Sequence, residues 1–160
     1  MVNKIHFVVI LILLISMIIN LFPLPEIITP YKPPLLMLVL IYWSLAFPNQ
    51  INLTYAFVFG IIMDVLLLMP LGYNAFLYTV TIYLIIIYYP QIRLHSYWNK
   101  MFSLLIILLP YFIMSTFTNN MLNISYDILE VFVSMIVSVL IWPLLFSMLR
   151  FIRLKYTCLL

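Results

Sequence analysis

Long apolar runs, separated by short segments that contain proline or charge, dominate this sequence and limit what it can fold into. Of its 160 residues, 68% are hydrophobic and 7% are charged, whereas a soluble domain is typically about half apolar and about a quarter charged. The composition therefore predicts an integral membrane protein. Because a membrane-spanning helix needs about 20 apolar residues, the length leaves no room for a separate soluble domain. We predict a single transmembrane domain over residues 1–160.

The order of the apolar runs predicts an all-α integral membrane protein, a compact bundle of six transmembrane helices. The first run follows Lys4, as in a signal peptide, but no small-residue cleavage site comes after it, so we interpret it as a retained span. The second run is short for a core of about 30 Å, so this span extends into flanking residues, lies in a locally thinned bilayer or is partly buried in protein. Pro70 and Pro90 are expected to end the third and fourth spans. The predicted spans are approximately 6–22, 35–47, 53–69, 75–89, 101–118 and 128–149.

The distribution of cations predicts that both chain ends lie in the cytoplasm. With a cytoplasmic N-terminus, six cations fall inside and one, Lys32, falls outside, which is a strong positive-inside asymmetry. The cations form no single basic face, so nucleic acid is not an expected partner. The cations predicted to lie inside are Lys4, Arg93, Lys100, Arg150, Arg153 and Lys155.

The segment Tyr31–Gly72 contains two apolar runs joined by a polar turn, with one carboxylate, Asp64, inside the second run. Ala56, Gly60 and Asp64 are four residues apart and fall on one face of a helix. Small residues on such a face allow a neighbouring backbone to approach, which predicts a packed interface with Asp64 turned toward protein. We therefore expect spans 2 and 3 to form a central hairpin, followed by a tight link at Gly72.

Asp64 is the one ionisable group predicted well inside a span, roughly 15 Å deep and near the midplane. A carboxylate at that depth costs about 3 kcal/mol, and no cation is predicted at a matching depth. The group is then either protonated or hydrogen-bonded to hydroxyls of other spans. One interpretation is a proton or substrate site; the one we favour is a polar contact between helices, because relays need several such groups in series. The expected hydroxyl partners are Ser44, Thr79, Thr81, Ser115, Thr116, Ser134 and Ser138.

The scarcity of polar groups in the predicted spans argues against an enzyme. An aspartyl protease within the membrane needs a second carboxylate at depth, and a serine mechanism needs a base beside its nucleophile. His6 and His95 are predicted at the membrane edges, and the spans do not supply the three or four ligands of a metal site. We predict no catalytic residue, no cofactor and no metal.

Several short motifs occur along the chain: Tyr42-Trp43 with Leu45-Ala46-x-Pro48, Gly60-x-x-x-Asp64, Pro70-Leu71-Gly72, and Trp142-Pro143 followed by the basic Arg150. Together they resemble the bacterial rod shape-determining protein MreD family, and the resemblance covers nearly the whole chain. The block from Gly60 to Gly72 is the most specific part. Length, span number and topology are also similar to that family.

The resemblance implies an inner-membrane subunit of the cell-elongation machinery. Such a subunit binds the bitopic protein MreC and helps couple MreB filaments to peptidoglycan synthases, in a helical fold similar to the substrate-binding subunits of vitamin-type transporters. The alternative function is a small transport or substrate-binding membrane subunit that uses Asp64. Expected packing residues are Ala56, Gly60, Asp64 and Gly72, and candidate partner contacts are Tyr42, Trp43, Pro70, Trp142 and Arg150.

Overall fold

The computed structural model of the chain describes residues 2–23, 25, 28–48, 50–94, 106–117 and 128–158. Over these residues the protein is helical and contains no strand, so the prediction of an all-α fold is confirmed. The helices are α1 (Val2–Leu21), a short 3₁₀ helix (Thr29–Tyr31), α2 (Leu35–Ala46), α3 (Leu53–Leu66), α4 (Tyr73–Leu94), α5 (described over Ile106–Phe117) and α6 (Ile128–Cys158).

Helix α2 is the central element of the bundle. Every residue from 36 to 44 is buried, and the helix packs against α1, α4 and α6. A helix that is apolar around its whole circumference has no face for water and is stable only when it is surrounded. Its 12 residues are too few to cross a bilayer without help. Of the three explanations that the short second run left open, burial in protein is the one that the packing of α2 supports.

Among the helix pairs whose contacts are described, α3 with α4 is the most extensive, whereas α2 and α3 are not among the well-packed pairs. The prediction of a central hairpin from spans 2 and 3 is therefore wrong. The small residues of α3 face the start of the following helix, not the preceding one, because Gly60 lies against the backbone of Ala75. The hairpin of this fold is α3–α4, and α2 lies beside it as the core.

Two helix ends differ from the positions that proline suggested. Helix α3 ends at Leu66, before the predicted limit of 69, because the chain turns sharply at Leu68. Helix α4 continues through Pro90 to Leu94, so the prediction that this proline ends the helix is wrong. Membrane helices tolerate proline when neighbouring groups accept the freed backbone bonds.

Large apolar side chains cover the outside of the bundle. On α6, Leu129, Leu140, Leu144 and Phe151 are all at least 70% exposed, an arrangement that is rare over a continuous surface of a soluble monomer. Within the described part of the chain, the stretch Leu129–Lys155 is the one long and apolar enough to cross a membrane unaided, and the other apolar helices are shorter. The fold is that of a helical membrane protein; the number of spans stays a prediction.

Candidate functional site

Asp64 lies in the last turn of α3 and is completely buried. The sequence placed it near the middle of a span, but the helix ends two residues later, so the carboxylate lies at the junction of α3 and α4. Its hydrogen-bond partners also differ from the predicted hydroxyls. Those of Thr79, Thr81 and Ser138 instead donate to carbonyls of their own helices.

The carboxylate of Asp64 accepts hydrogen bonds from the backbone at the start of α4. The Gly72 nitrogen donates to Oδ2 at 2.9 Å, the Asn74 nitrogen donates to Oδ1 at 2.7 Å, and the Ala75 nitrogen donates to Oδ2 at 3.4 Å. The remaining N–H of the first turn, that of Tyr73, donates to the Pro70 carbonyl at 3.1 Å. An N-terminal helix turn leaves these donors without intrahelical acceptors. Asp64 therefore does what an N-cap side chain does, from the preceding helix, because Gly72 has no side chain to cap with.

The charge of Asp64 also suits this position. A helix N-terminus carries a partial positive charge that favours an anion, and here the anion is the protein's own carboxylate. A buried acid with no cation beside it among the described residues is thus accommodated by three backbone donors. Both oxygens are occupied, so the arrangement holds two helices together rather than leaving a carboxylate open to a ligand.

The end of α3 is closed by a Schellman motif that also uses Asp64. The Met69 nitrogen donates to the Asp64 carbonyl at 3.0 Å, and the Leu68 nitrogen donates to the Val65 carbonyl at 3.4 Å. This pattern requires a left-handed residue, usually glycine, just after the helix. Here that residue is Leu68, with φ 54° and a side chain that is 93% exposed. Asp64 thus ends one helix through its backbone and starts the next through its side chain.

Replacing Leu68 with glycine is expected to raise the free energy of unfolding by about 1 kcal/mol, because a left-handed conformation is strained for a residue with a Cβ. The exposed leucine side chain contributes no core packing that would be lost. Thermal unfolding in detergent measures the gain. Leu71→Gly is the matched control: Leu71 is also exposed but has no positive φ, so glycine there should give no gain. A lower melting temperature for Leu68→Gly would contradict this account of the turn.

Gly60 sets the distance between α3 and α4. A Cβ built on Gly60 would overlap the Cα of Ala75 and lie 2.6 Å from its backbone nitrogen. That nitrogen is one of the three donors to Asp64. Ala56, one turn earlier on the same face, is also fully buried. The close approach of the two backbones and the hydrogen bonds of the carboxylate therefore belong to one junction.

Three of the five candidate partner contacts lie inside the bundle. Tyr42 and Trp43 are 2% exposed and Trp142 is 5% exposed. Tyr42 makes edge-on contacts with Trp43 and with Phe146 of α6, at centroid distances of 5.4 and 5.3 Å. These aromatic side chains pack helices together and present no surface to a partner, which corrects their interpretation as contacts. A residue pattern in sequence does not distinguish an inward-facing aromatic residue from an interfacial one.

The other two candidate contacts, Pro70 and Arg150, are exposed. Pro70 lies in the α3–α4 turn, and Arg150 lies near the end of α6. Arg153, one turn further along α6, places its guanidinium carbon 6.0 Å from the centre of the Tyr42 ring, a cation–π distance. The basic end of α6 is therefore partly used to hold that helix against α2.

Lys32 has a structural role that the sequence did not indicate. Its ammonium donates to the carbonyls of Asn20 and Phe22 at 2.6 and 2.9 Å, which closes the C-terminal end of α1. The Lys32 carbonyl in turn accepts a hydrogen bond from Ser134 of α6 at 3.0 Å. Partial burial lowers the pKa of the Lys32 side chain. Its position as the single cation predicted outside was visible in the sequence, but its partners are backbone carbonyls, which no side-chain pattern marks.

The remaining predicted polar groups do not assemble around a reaction centre in the described residues. His6 Nδ1 and the Tyr55 hydroxyl are 2.6 Å apart and link the start of α1 to the start of α3. His95 lies outside the described residues. No group of three histidine, cysteine, aspartate or glutamate side chains comes together among the residues described.

Fold and site together define a helical membrane protein in which the buried polar groups described above organise helix packing. The chain belongs to the rod shape-determining protein MreD family, whose family model matches residues 1–152. The rod shape-determining protein MreD of Haemophilus influenzae is 31% identical over 143 residues, which cover 88% of this chain and 87% of that protein. The resemblance based on the motifs is thereby confirmed. No solved structure matches the chain significantly, so the likeness to vitamin-type transport subunits stays a prediction.

Proposed function

We propose that the protein is a non-enzymatic scaffold subunit of the bacterial cell-elongation complex in the inner membrane. Membership of a shape-determining family gives the role in rod shape. In the proposal, the bundle binds MreC directly and helps couple MreB filaments to the peptidoglycan synthases. It crosses the membrane six times, with both ends in the cytoplasm.

The observation that supports a scaffold best is that the carboxylate of Asp64 is already hydrogen-bonded within the protein. Its two oxygens accept three backbone hydrogen bonds and its side chain is fully buried. A proton carrier or a substrate ligand needs a carboxylate that can exchange partners. A carboxylate that joins two helices instead gives the bundle a fixed shape, which is what a docking platform requires. The transport alternative therefore has no support from the geometry of Asp64.

The exposed candidate contacts suggest where partners bind. Pro70 and Arg150 lie near opposite ends of the bundle in the proposed orientation, with Pro70 toward the periplasm and Arg150 toward the cytoplasm. We assign Arg150 to the contact with the cytoplasmic part of the complex because it is exposed, basic and near the last turns of α6. A bitopic partner such as MreC can reach both ends.

Co-purification with MreC tests the proposal. The tagged protein, extracted in mild detergent, is expected to retain MreC but not an unrelated single-span membrane protein expressed to the same level. Arg150→Ala is expected to reduce recovery by about two- to fivefold, the range for one exposed charge. Lys155→Ala is the matched control, because Lys155 is an exposed cation five residues further along the same helix. Failure to retain MreC, together with rod shape that survives deletion of the gene, would exclude the scaffold function.

A further inference from the structure

A cavity of about 240 Å³ lies at the end of the bundle where α3 ends and α4 begins. This volume far exceeds the roughly 10–15 Å³ that one water molecule needs. Its wall combines the loop before α2 with residues of α3, α4, α5 and α6. The described polar residues that line it are Asn20, Thr29, Lys32, Tyr73, Asn74, Tyr78, Tyr111, Ser115 and Ser134.

Lys32 is the one charged residue among the described residues that line this cavity. Two backbone carbonyls accept hydrogen bonds from its ammonium, and an ammonium has three donors. A cation with spare donor capacity, in a wall without a described carboxylate, favours an anion. The carboxylate of Asp64 is not part of the wall, and its oxygens already bind the start of α4.

Asn74 supplies a second, independent indication of a ligand. Asn74 is 5% exposed and lines the cavity, and its buried Nδ2 atom has no hydrogen-bond partner in the described part of the chain. A buried donor without an acceptor costs about 1–3 kcal/mol, and such groups are rare unless something binds them. The Asn74 backbone nitrogen, by contrast, is fully used by Asp64. The amide nitrogen is therefore a buried donor on a residue of the cavity wall, without an acceptor among the described residues.

An apolar groove begins on the other side of Lys32. It has a volume of about 310 Å³ and is lined by Ile18, Ile19, Phe22, Lys32, Pro33 and Leu35, so Lys32 and Pro33 belong to both the groove and the cavity. A lysine at such a boundary packs its methylene stem on apolar groups and directs its ammonium toward polar ones. The combined site is polar with one positive charge at one end and apolar at the other.

We propose that this cavity and groove bind an anionic amphiphile, with a phosphate-bearing head group at Lys32 and Asn74 and an acyl chain along Ile18, Phe22 and Leu35. The phosphate oxygens accept a hydrogen bond from the spare donor of Lys32 and, once the Asn74 side chain rotates toward the head group, from its amide. The chain covers the groove between the end of α1 and the start of α2. An anionic phospholipid has this combination of a phosphate head group and acyl chains. Lipid binding at this site is a function in addition to the binding of protein partners proposed above.

Lipid retention by the purified protein tests the site. The protein in neutral detergent is incubated with phosphatidylglycerol, with phosphatidylcholine of the same acyl chains, or with inorganic phosphate, and is then examined by native mass spectrometry and thermal unfolding. We expect one retained phosphatidylglycerol and a raised melting temperature. Phosphatidylcholine should be retained less by about tenfold or more, because its head group carries no net charge.

Two variants and a control locate the binding. Asn74→Leu removes the unpaired amide at similar volume and leaves the backbone donor to Asp64 intact. Lys32→Gln removes the positive charge. Each is expected to weaken phosphatidylglycerol binding by about tenfold, the effect of one charge-assisted hydrogen bond. Lys155→Gln removes an equal charge from the exposed part of α6 and should bind as the unchanged protein does.

Stability distinguishes a ligand site from a structural defect. Without lipid, Asn74→Leu is expected to be as stable as the unchanged protein or more so, because an unpaired buried amide is removed. This variant decides the question even if Lys32→Gln fails to fold, since Lys32 also closes α1. Equal retention of both lipids by all variants would overturn the proposal, as would equal stabilisation by inorganic phosphate alone. Neither result bears on binding of MreC.

Discussion

Replacing Asp64 with alanine is expected to lower the free energy of unfolding by about 3–5 kcal/mol, because it leaves buried backbone donors of Asn74 and Ala75 without acceptors. The change removes the cap of α4 and the anion at its N-terminus at the same time. Alanine keeps the helical propensity of the last turn of α3, so the loss reports on the carboxylate. Denaturant or thermal unfolding in detergent measures the change.

Asp64→Asn separates the hydrogen bonds from the charge. The asparagine oxygen can accept from one side of the junction, but its NH₂ group then faces a backbone donor where Asp64 offered a second oxygen. We expect an intermediate loss of about 1–2 kcal/mol. Asn52→Ala is a useful comparison. The Asn52 side chain caps α3 by accepting one hydrogen bond of 3.3 Å from the Thr54 nitrogen. Its loss should lower the free energy of unfolding by about 1 kcal/mol.

Two results would contradict this account of Asp64. The first is an Asp64→Ala variant that unfolds at the same temperature as the unchanged protein. The second is an Asp64→Asn variant that keeps full stability and normal expression but loses rod shape, because that outcome points to a carboxylate that titrates or binds cargo. The first addresses the junction and the second addresses the transport alternative.

Replacing Gly60 with alanine is expected to lower the free energy of unfolding by about 2–3 kcal/mol. The new methyl group meets backbone atoms of Ala75 rather than a side chain that can rotate away. The start of α4 must then move from α3, which lengthens the hydrogen bonds to Asp64. The higher helix propensity of alanine raises the free energy of unfolding by about 1 kcal/mol, which is less than the steric overlap lowers it.

Val58→Ala is the matched control for Gly60→Ala. Val58 lies on the same helix but is 45% exposed, so its truncation should change the unfolding free energy by less than about 1 kcal/mol. Gly60→Ser should behave like Gly60→Ala, since both add a Cβ. If Gly60→Ala were as stable as Val58→Ala, α3 and α4 would not be packed backbone to backbone at this position.

Composition and short motifs were sufficient for the class of protein and for the family. The bilayer sets the length of a spanning helix, and its backbone hydrogen bonds are local to the segment. A spanning segment can therefore be recognised as a continuous apolar run in the residue order itself. The same holds for the Ala56, Gly60 and Asp64 face, because positions four apart on a helix share a face whatever surrounds it. A lone acid among apolar residues also identified Asp64 as a residue with a specific partner.

The tertiary structure alone decided what that partner is. The donors to Asp64 are backbone N–H groups eight to eleven positions later, and every residue except proline has such a group, so no side-chain pattern announces them. The left-handed Leu68 stands where glycine is usual, so Pro70 indicated the end of α3 only approximately and the sequence did not mark its exact position. The central place of α2 and the cavity beside Lys32 and Asn74 depend on which helices meet, and in an apolar chain that depends on how whole helix surfaces fit together.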